Sequence, residues 1–120
     1  MQTLEAIDSK HIDFELGRQR LGPSLDEYCS ATEEFLRQIR EALLDMERNL
    51  RVGDARTLLQ LARSVRILAG VIAAATLESH CRRLEKAVIL RNTARVYDAI
   101  GDMNAEFQAI QKSFMSAVRN

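Results

Sequence analysis

The spacing of apolar residues between Asp54 and Leu84 constrains this chain more than any other feature of its sequence. Read as an α-helix over residues 55–72, the segment places apolar side chains three and four residues apart, so that they share one buried face. That face comprises Leu58, Ala62, Val65, Ala69 and Ile72. Because a helix turns by about 100° per residue, a second set of residues lies on the opposite side, where two bulky aliphatic side chains and two arginines are predicted to stand in water. This outward set comprises Leu59, Arg63, Arg66, Ile67 and Gly70.

The segment before this helix is predicted to be a long antiparallel neighbour. Ser24-Leu-Asp-Glu27 has the form of a capping box, and helical spacing of apolar residues follows it as far as Leu50. Gly53 can take a left-handed conformation and Asp54 can cap the next helix, which together predict a tight reversal. A short helix from Ile12 to about Leu21, ended by Gly22-Pro23, precedes this long helix.

Two further helices are predicted towards the carboxyl terminus. The alanines at 73–75 mark a reversal, after which a helix runs from about Thr76 to Leu90. Asn92 or Thr93 caps the last helix, which continues to about Val118. Four long amphipathic helices with short connections and no strand pattern predict an all-α fold, an antiparallel four-helix bundle with a short extra helix at its amino terminus.

Composition excludes several classes of function. With 120 residues the chain is expected to form one domain, with residues 1–11 as a flexible leader and residues 12–120 as the bundle. Seventeen basic and seventeen acidic side chains cancel, which argues against nucleic acid or an acidic membrane surface as a partner. No signal peptide or membrane-spanning run is evident, so a cytoplasmic location is expected. Cys29 and Cys81 lack the spacing of a metal site and are read as core residues, and neither a metal nor a cofactor is expected.

The central segment also resembles the phosphoacceptor helix of histidine-containing phosphotransfer (HPt) domains. The signature of that family reads approximately Ala-His-Ser-Leu-Lys-Gly, followed by small residues, a Gly-Ala pair and a Leu on the next helix. Seven residues fit as they stand: Ala62, Ser64, Ala69, Gly70, Ile72, Ala74 and Leu77. Val65 and Arg66 conservatively replace the Leu and Lys of the signature. Three positions depart from it: Arg63 stands at the histidine, Ile67 at the glycine one turn later, and Ala73 at the first residue of a Gly-Ala pair.

The resemblance implies a four-helix module of a bacterial two-component phosphorelay, whose partner is the receiver domain of a response regulator or hybrid sensor kinase. An imidazole accepts phosphate through an uncharged ring nitrogen, whereas a guanidinium stays protonated and offers no lone pair. The chain is therefore read as a monomeric, non-catalytic HPt-like module. It is expected to bind a receiver through Leu59, Arg63, Arg66, Ile67 and Gly70.

Other readings stay open. Phosphate transfer through another acceptor would need His80, predicted to be half-buried at the edge of a core stripe, or His11, predicted to be solvated in the leader. Arg63 and Arg66 are also compatible with an ordinary solvated face on a helical scaffold. Self-association through Leu59 and Ile67 is a further alternative, although two arginines near a two-fold axis would repel each other.

Overall fold

The computed structural model describes residues 10–22 and 24–119. Most of the expected leader, Pro23 with its predicted role in ending the first helix, and the last residue lie outside these described residues. The described residues form five helices and contain no strand. In chain order they are α1 (Phe14–Leu21), α2 (Leu25–Val52), α3 (Ala55–Val71), α4 (Ala75–Ile89) and α5 (Thr93–Arg119). The predicted boundaries of the four long helices agree with these to within about two residues.

The predicted caps account for where α2, α3 and α5 begin. The Ser24 hydroxyl accepts the Glu27 backbone N–H at 3.1 Å, and the Asp54 carboxylate accepts that of Thr57 at 3.1 Å. Gly53 takes the left-handed conformation between α2 and α3, with φ at 70°. Of the two residues predicted to cap α5, Asn92 does so, because its side-chain oxygen accepts the Arg95 backbone N–H. Each cap satisfies a backbone donor that the first turn of a helix leaves unpaired.

The four long helices pack in a closed order, with α2 against α3, α3 against α4, α4 against α5 and α5 against α2. They form a rod of 48 × 20 × 20 Å around a continuous apolar core. All five residues predicted for the buried face of α3 are in that core. The predicted four-helix bundle with an extra amino-terminal helix is confirmed.

The short helix α1 packs on α2 and α3. It begins at Phe14 and not at the expected Ile12, because the Asp13 carboxylate caps it by accepting the Leu16 N–H at 3.0 Å. Ile12 is instead buried ahead of the cap. Gly17 allows the close approach of α1 to α2, since a methyl group there would lie 3.0 Å from the Tyr28 ring.

The turn between α3 and α4 departs from ordinary backbone preferences. Ala73 has φ at 61°, a left-handed conformation that costs a residue with a Cβ roughly 1 kcal/mol or more. The turn is closed by the Ala74 N–H, which donates to the Ala69 carbonyl at 2.8 Å, and tied to α1 by the Asp13 N–H, which donates to the Ala73 carbonyl at 2.9 Å. The glycine that the resembling family has at this position would avoid the cost.

Candidate functional site

Two arginines of α3 share one carboxylate of α4. Arg66 approaches Glu85 through two nitrogens, with Nε 2.7 Å from Oε2 and Nη2 3.4 Å from Oε1. Arg63 reaches the same carboxylate with a single 3.4 Å contact from its Nε. Hydrogen bonding to Glu85 raises the pKa of the Arg66 guanidinium, which keeps it charged. Arg66 is therefore held firmly, whereas Arg63 stands at the edge of the pair with 53% of its side chain exposed.

The five residues Leu59, Arg63, Arg66, Ile67 and Gly70 are named the α3 surface below, and the structure places them unequally. Ile67 is 62% exposed, as predicted for an aliphatic residue standing in water. Leu59 is only partly buried but packs against the core, so the expectation that it stands in water beside Ile67 is wrong. The outward centre of the surface is thus Arg63, Arg66 and Ile67.

Gly70 is half-buried and has neighbours that the sequence did not predict. Its carbonyl accepts a hydrogen bond from the Arg20 guanidinium, which reaches across from the end of α1. The Glu78 carboxylate lies close by, since a methyl group at Gly70 would be 3.6 Å from its Oε1. Arg20 and Glu78 thus lie against Gly70 at this end of the α3 surface.

Several charged side chains meet on the flank of the bundle formed by α3 and α4. Its cations are Arg20, Arg63, Arg66 and Arg82, and its carboxylates are Glu78 and Glu85. Among these six contacting side chains the arginines outnumber the glutamates four to two. Such a surface attracts an acidic partner at a distance and fixes its orientation.

Neither histidine lies on the α3 surface. His80 is half-buried as predicted, and its Nδ1 is 3.2 Å from Nη2 of Arg83. An arginine nitrogen can only donate, so a neutral His80 ring accepts at Nδ1 and carries its proton on Nε2.

His11 is not the solvated residue that was expected. Its Nδ1 lies 2.9 Å from Oε2 of Glu106, a residue of α5 that is buried, and 35% of the His11 side chain is exposed. The acidic partner is 95 positions away in the sequence, which is why the residues around His11 give no indication of it. The described part of the leader is thereby joined to the bundle.

The described residues contain no group of three or more histidine, cysteine or acidic side chains placed to hold a metal ion. Over the same residues, no helix is both long and apolar enough to cross a membrane.

The two cysteines differ in burial, and we predict a corresponding difference in thiol reactivity. Burial raises the pKa of Cys81 to about 12 and also raises that of the partly exposed Cys29. Because the thiolate is the reactive species, Cys29 is expected to react with a thiol reagent at about pH 8 at least tenfold faster than Cys81. Peptide mapping after timed alkylation measures both rates, and equal rates in the folded protein would contradict the burial of Cys81. In denaturant the two rates should converge.

Comparison with known proteins bears on the fold. No protein-family model matches the sequence, and no curated protein matches it. Among solved structures, the chain superimposes on histidine-containing phosphotransfer protein B (HptB) from Pseudomonas aeruginosa PAO1 with a TM-score of 0.83. The chain has the fold of a histidine-containing phosphotransfer protein. The two sequences are 24% identical, and the match covers 91% of this chain and 95% of HptB.

The HPt-like fold brings together residues that the sequence analysis had not combined. Glu85 of α4 crosses to α3 and joins Arg63 with Arg66. The sequence contained an indication of this contact. When a short turn joins two antiparallel helices, residues before the turn lie beside residues at a similar distance after it. Arg20 gives no such signal, since its place depends on how α1 packs on the bundle.

Proposed function

We propose that the chain is an HPt-like module of a bacterial two-component phosphorelay that binds a receiver domain through the α3 surface without accepting phosphate. The receiver belongs to a response regulator or a hybrid sensor kinase, and the module acts in the cytoplasm by occupying or sensing it. The observation that supports the proposal is the half-exposed Arg63 on α3 of an HPt-like fold, at the residue that the sequence resemblance aligns with the phosphoacceptor histidine.

The chemistry of Arg63 favours binding over catalysis. A guanidinium has no nucleophilic lone pair, so it cannot form the phosphoryl bond that a histidine forms. It does form short, charge-assisted and often bidentate hydrogen bonds with carboxylates. The active site of a receiver domain is a cluster of acidic side chains around the aspartate that is phosphorylated, and this cluster is the complement of an exposed arginine.

The ion pair with Glu85 leaves Arg63 available for such a partner. Arg63 makes one long contact to Glu85, and exposed ion pairs contribute only about 0–1 kcal/mol to stability. A receiver carboxylate can therefore replace Glu85 at Arg63 at little cost, while Arg66 keeps Glu85 in place. Ile67 lies one turn from Arg63 and offers an exposed apolar side chain that a partner can bury. An arginine together with a buried apolar contact is the combination that concentrates binding energy in small interfaces.

Charge reversal tests this interface. We expect Arg63→Glu to lower the affinity for a cognate receiver domain by at least roughly tenfold, because a second carboxylate would then face the acidic site. Receiver domains are first identified by affinity capture from the native cell extract and mass spectrometry, then purified and measured by calorimetry. Arg40→Glu is the matched control, since Arg40 is an exposed arginine of α2 and the substitution changes the net charge equally. If both variants retain the same receivers as the parent, the α3 surface is not the docking surface.

A second candidate is phosphate transfer through a different acceptor. The favouring observation is the His11–Glu106 contact, because a carboxylate beside Nδ1 orients an imidazole. Incubation with a phosphorylated receiver domain distinguishes the two functions. Acid-labile phosphate that disappears in a His11→Gln variant supports the second candidate. Absence of such phosphate, together with retained receiver binding, supports the non-catalytic binding module. A chain that neither accepts phosphate nor binds a receiver is a helical scaffold or dimerisation module.

A further inference from the structure

A second charged surface lies on the other flank of α4. There α4 and α5 enclose a groove of about 380 Å³, called the α4–α5 groove here. It is lined by Arg83, Lys86, Ala87, Leu90, Arg95, Asp98 and Ala99. The two flanks are separate, because Glu85 pairs with Arg66 of α3 whereas Arg83 pairs with Asp102 of α5 at 2.6 Å.

The lining of the groove has a surplus of positive charge. Arg83 is neutralised by Asp102, but within the described residues neither Lys86 nor Arg95 has a carboxylate in ion-pair contact. Asp98 is the remaining acidic residue of the lining. The three cations and the one carboxylate of the lining sum to a charge of +2. Including Asp102, which pairs with Arg83, lowers this sum to +1.

The position of Arg95 is not explained by the stability of its own helix. Its backbone N–H is bound by the Asn92 cap at 3.1 Å, which places Arg95 in the first turn of α5. That end of a helix dipole favours acidic side chains, and the first turn of α5 contains none. Lys86, by contrast, lies in the last turn of α4, where a cation is favourable. A residue that opposes local preference is a candidate for a functional role.

The groove also has an apolar component. Leu90 is 59% exposed at its end, and Ala87 and Ala99 form a buried floor of small side chains. From Arg83 to Leu90 the wall formed by α4 extends roughly 10 Å, at 1.5 Å per residue. This length fits a short stretch of polypeptide with separated charges.

We propose that the α4–α5 groove binds an acidic segment of a partner protein, whose carboxylates meet Lys86 and Arg95 and whose apolar side chain packs on Leu90. Nucleic acid fits less well, because Asp98 and Asp102 on the α5 wall would repel a continuous phosphate backbone. The groove is a second interaction surface, distinct from the α3 surface. The module would thereby contact two partners at once.

The test uses a synthetic peptide in which two glutamates, separated by neutral residues, flank a central leucine. Its binding to the full chain is measured by fluorescence anisotropy at low ionic strength. Binding is expected, and it should weaken as salt is added. Lys86→Glu combined with Arg95→Glu is expected to reduce the affinity at least roughly tenfold, because two attractive contacts become repulsive. Arg40→Glu and Arg63→Glu should leave it unchanged. Circular dichroism verifies that each variant is folded.

Several results would overturn the proposal. Failure of the parent chain to bind the peptide would do so, as would an equal loss in Arg40→Glu, which would attribute binding to net charge. Loss in Arg63→Glu would place the peptide on the α3 surface. Tighter binding of a single-stranded oligonucleotide would indicate a different ligand. If the parent forms dimers in light scattering and the double variant does not, the groove is occupied by a second copy of the chain. None of these outcomes depends on whether a receiver domain binds the α3 surface.

Discussion

A variant carrying both Arg63→His and Ile67→Gly is expected to accept phosphate from a phosphorylated receiver domain, whereas the parent chain accepts none at this position. The substitution restores a nucleophilic nitrogen at an exposed point of α3, where 53% of the arginine side chain is exposed. Arg66 remains one turn from the new histidine, and its pairing with Glu85 neutralises that carboxylate, which would otherwise repel the phosphoryl group. We therefore expect no phosphate at position 63 of the parent chain and up to one phosphate per chain in the double variant.

Ile67 decides how much of this gain appears in the single variant Arg63→His. Residues 63 and 67 are one turn apart and share the outward face of α3, so the branched side chain crowds the approach to the histidine. Replacing Ile67 with glycine removes that obstacle, at a helix-propensity cost of roughly 0.5 kcal/mol. We therefore expect the double variant to be phosphorylated faster than Arg63→His alone.

The measurement is transfer of radiolabelled phosphate from a panel of purified, phosphorylated receiver domains, followed by an acid-stability test that identifies phosphohistidine. The combination of Arg63→Gln and Ile67→Gly is the matched control, since it opens the surface in the same way without supplying a nucleophile. If the double variant is folded and binds a receiver but gains no phosphate over this control, then position 63 does not meet the receiver's phosphorylated aspartate. The proposed docking geometry would then be wrong.

The helices of this protein were predictable because their determinants are local. Apolar spacing identified the buried face of α3, and Ser24 and Asp54 identified two helix starts through hydrogen bonds that span three residues. Gly53 marked the reversal because only glycine enters the left-handed region without cost. Such signals need no knowledge of the tertiary structure, and together they lead to the confirmed fold.

The candidate site was predictable only in part, because it depends on contacts between distant segments. The exposure of Ile67 followed from helical geometry, but Leu59 lies closer to the neighbouring helices than a single-helix projection indicates. The connection between Glu85 and Arg66 spans 19 positions, and that between His11 and Glu106 spans 95. Contacts at these separations are set by the packing of whole helices, which periodicity within one helix does not encode.

Packing of α4 supports both proposed surfaces, and Leu84→Ala is expected to lower the free energy of unfolding by about 3 kcal/mol. Leu84 is fully buried, so truncation loses the transfer free energy of the removed atoms and leaves a cavity in the core. Equilibrium urea denaturation gives the change directly, with an unchanged slope indicating that the native and unfolded ensembles keep their compactness. A typical domain has only about 5–15 kcal/mol of stability, so the loss is a large share.

Leu44→Ala on α2 is the matched control, because the same atoms are removed from a side chain that is 48% exposed. Its expected cost is less than about 1 kcal/mol, since less area is removed from contact and alanine is at least as good a helix former as leucine.

Leu84 separates two flanks of α4, with Glu85 directed at α3 and Arg83 at α5. Loosening of α4 should therefore weaken receiver binding and peptide binding together, whereas Arg63→Glu affects only the first. Equal losses of stability in Leu84→Ala and Leu44→Ala would show that burial of Leu84 does not hold α4 in place. The common support inferred for the two surfaces would then be lost.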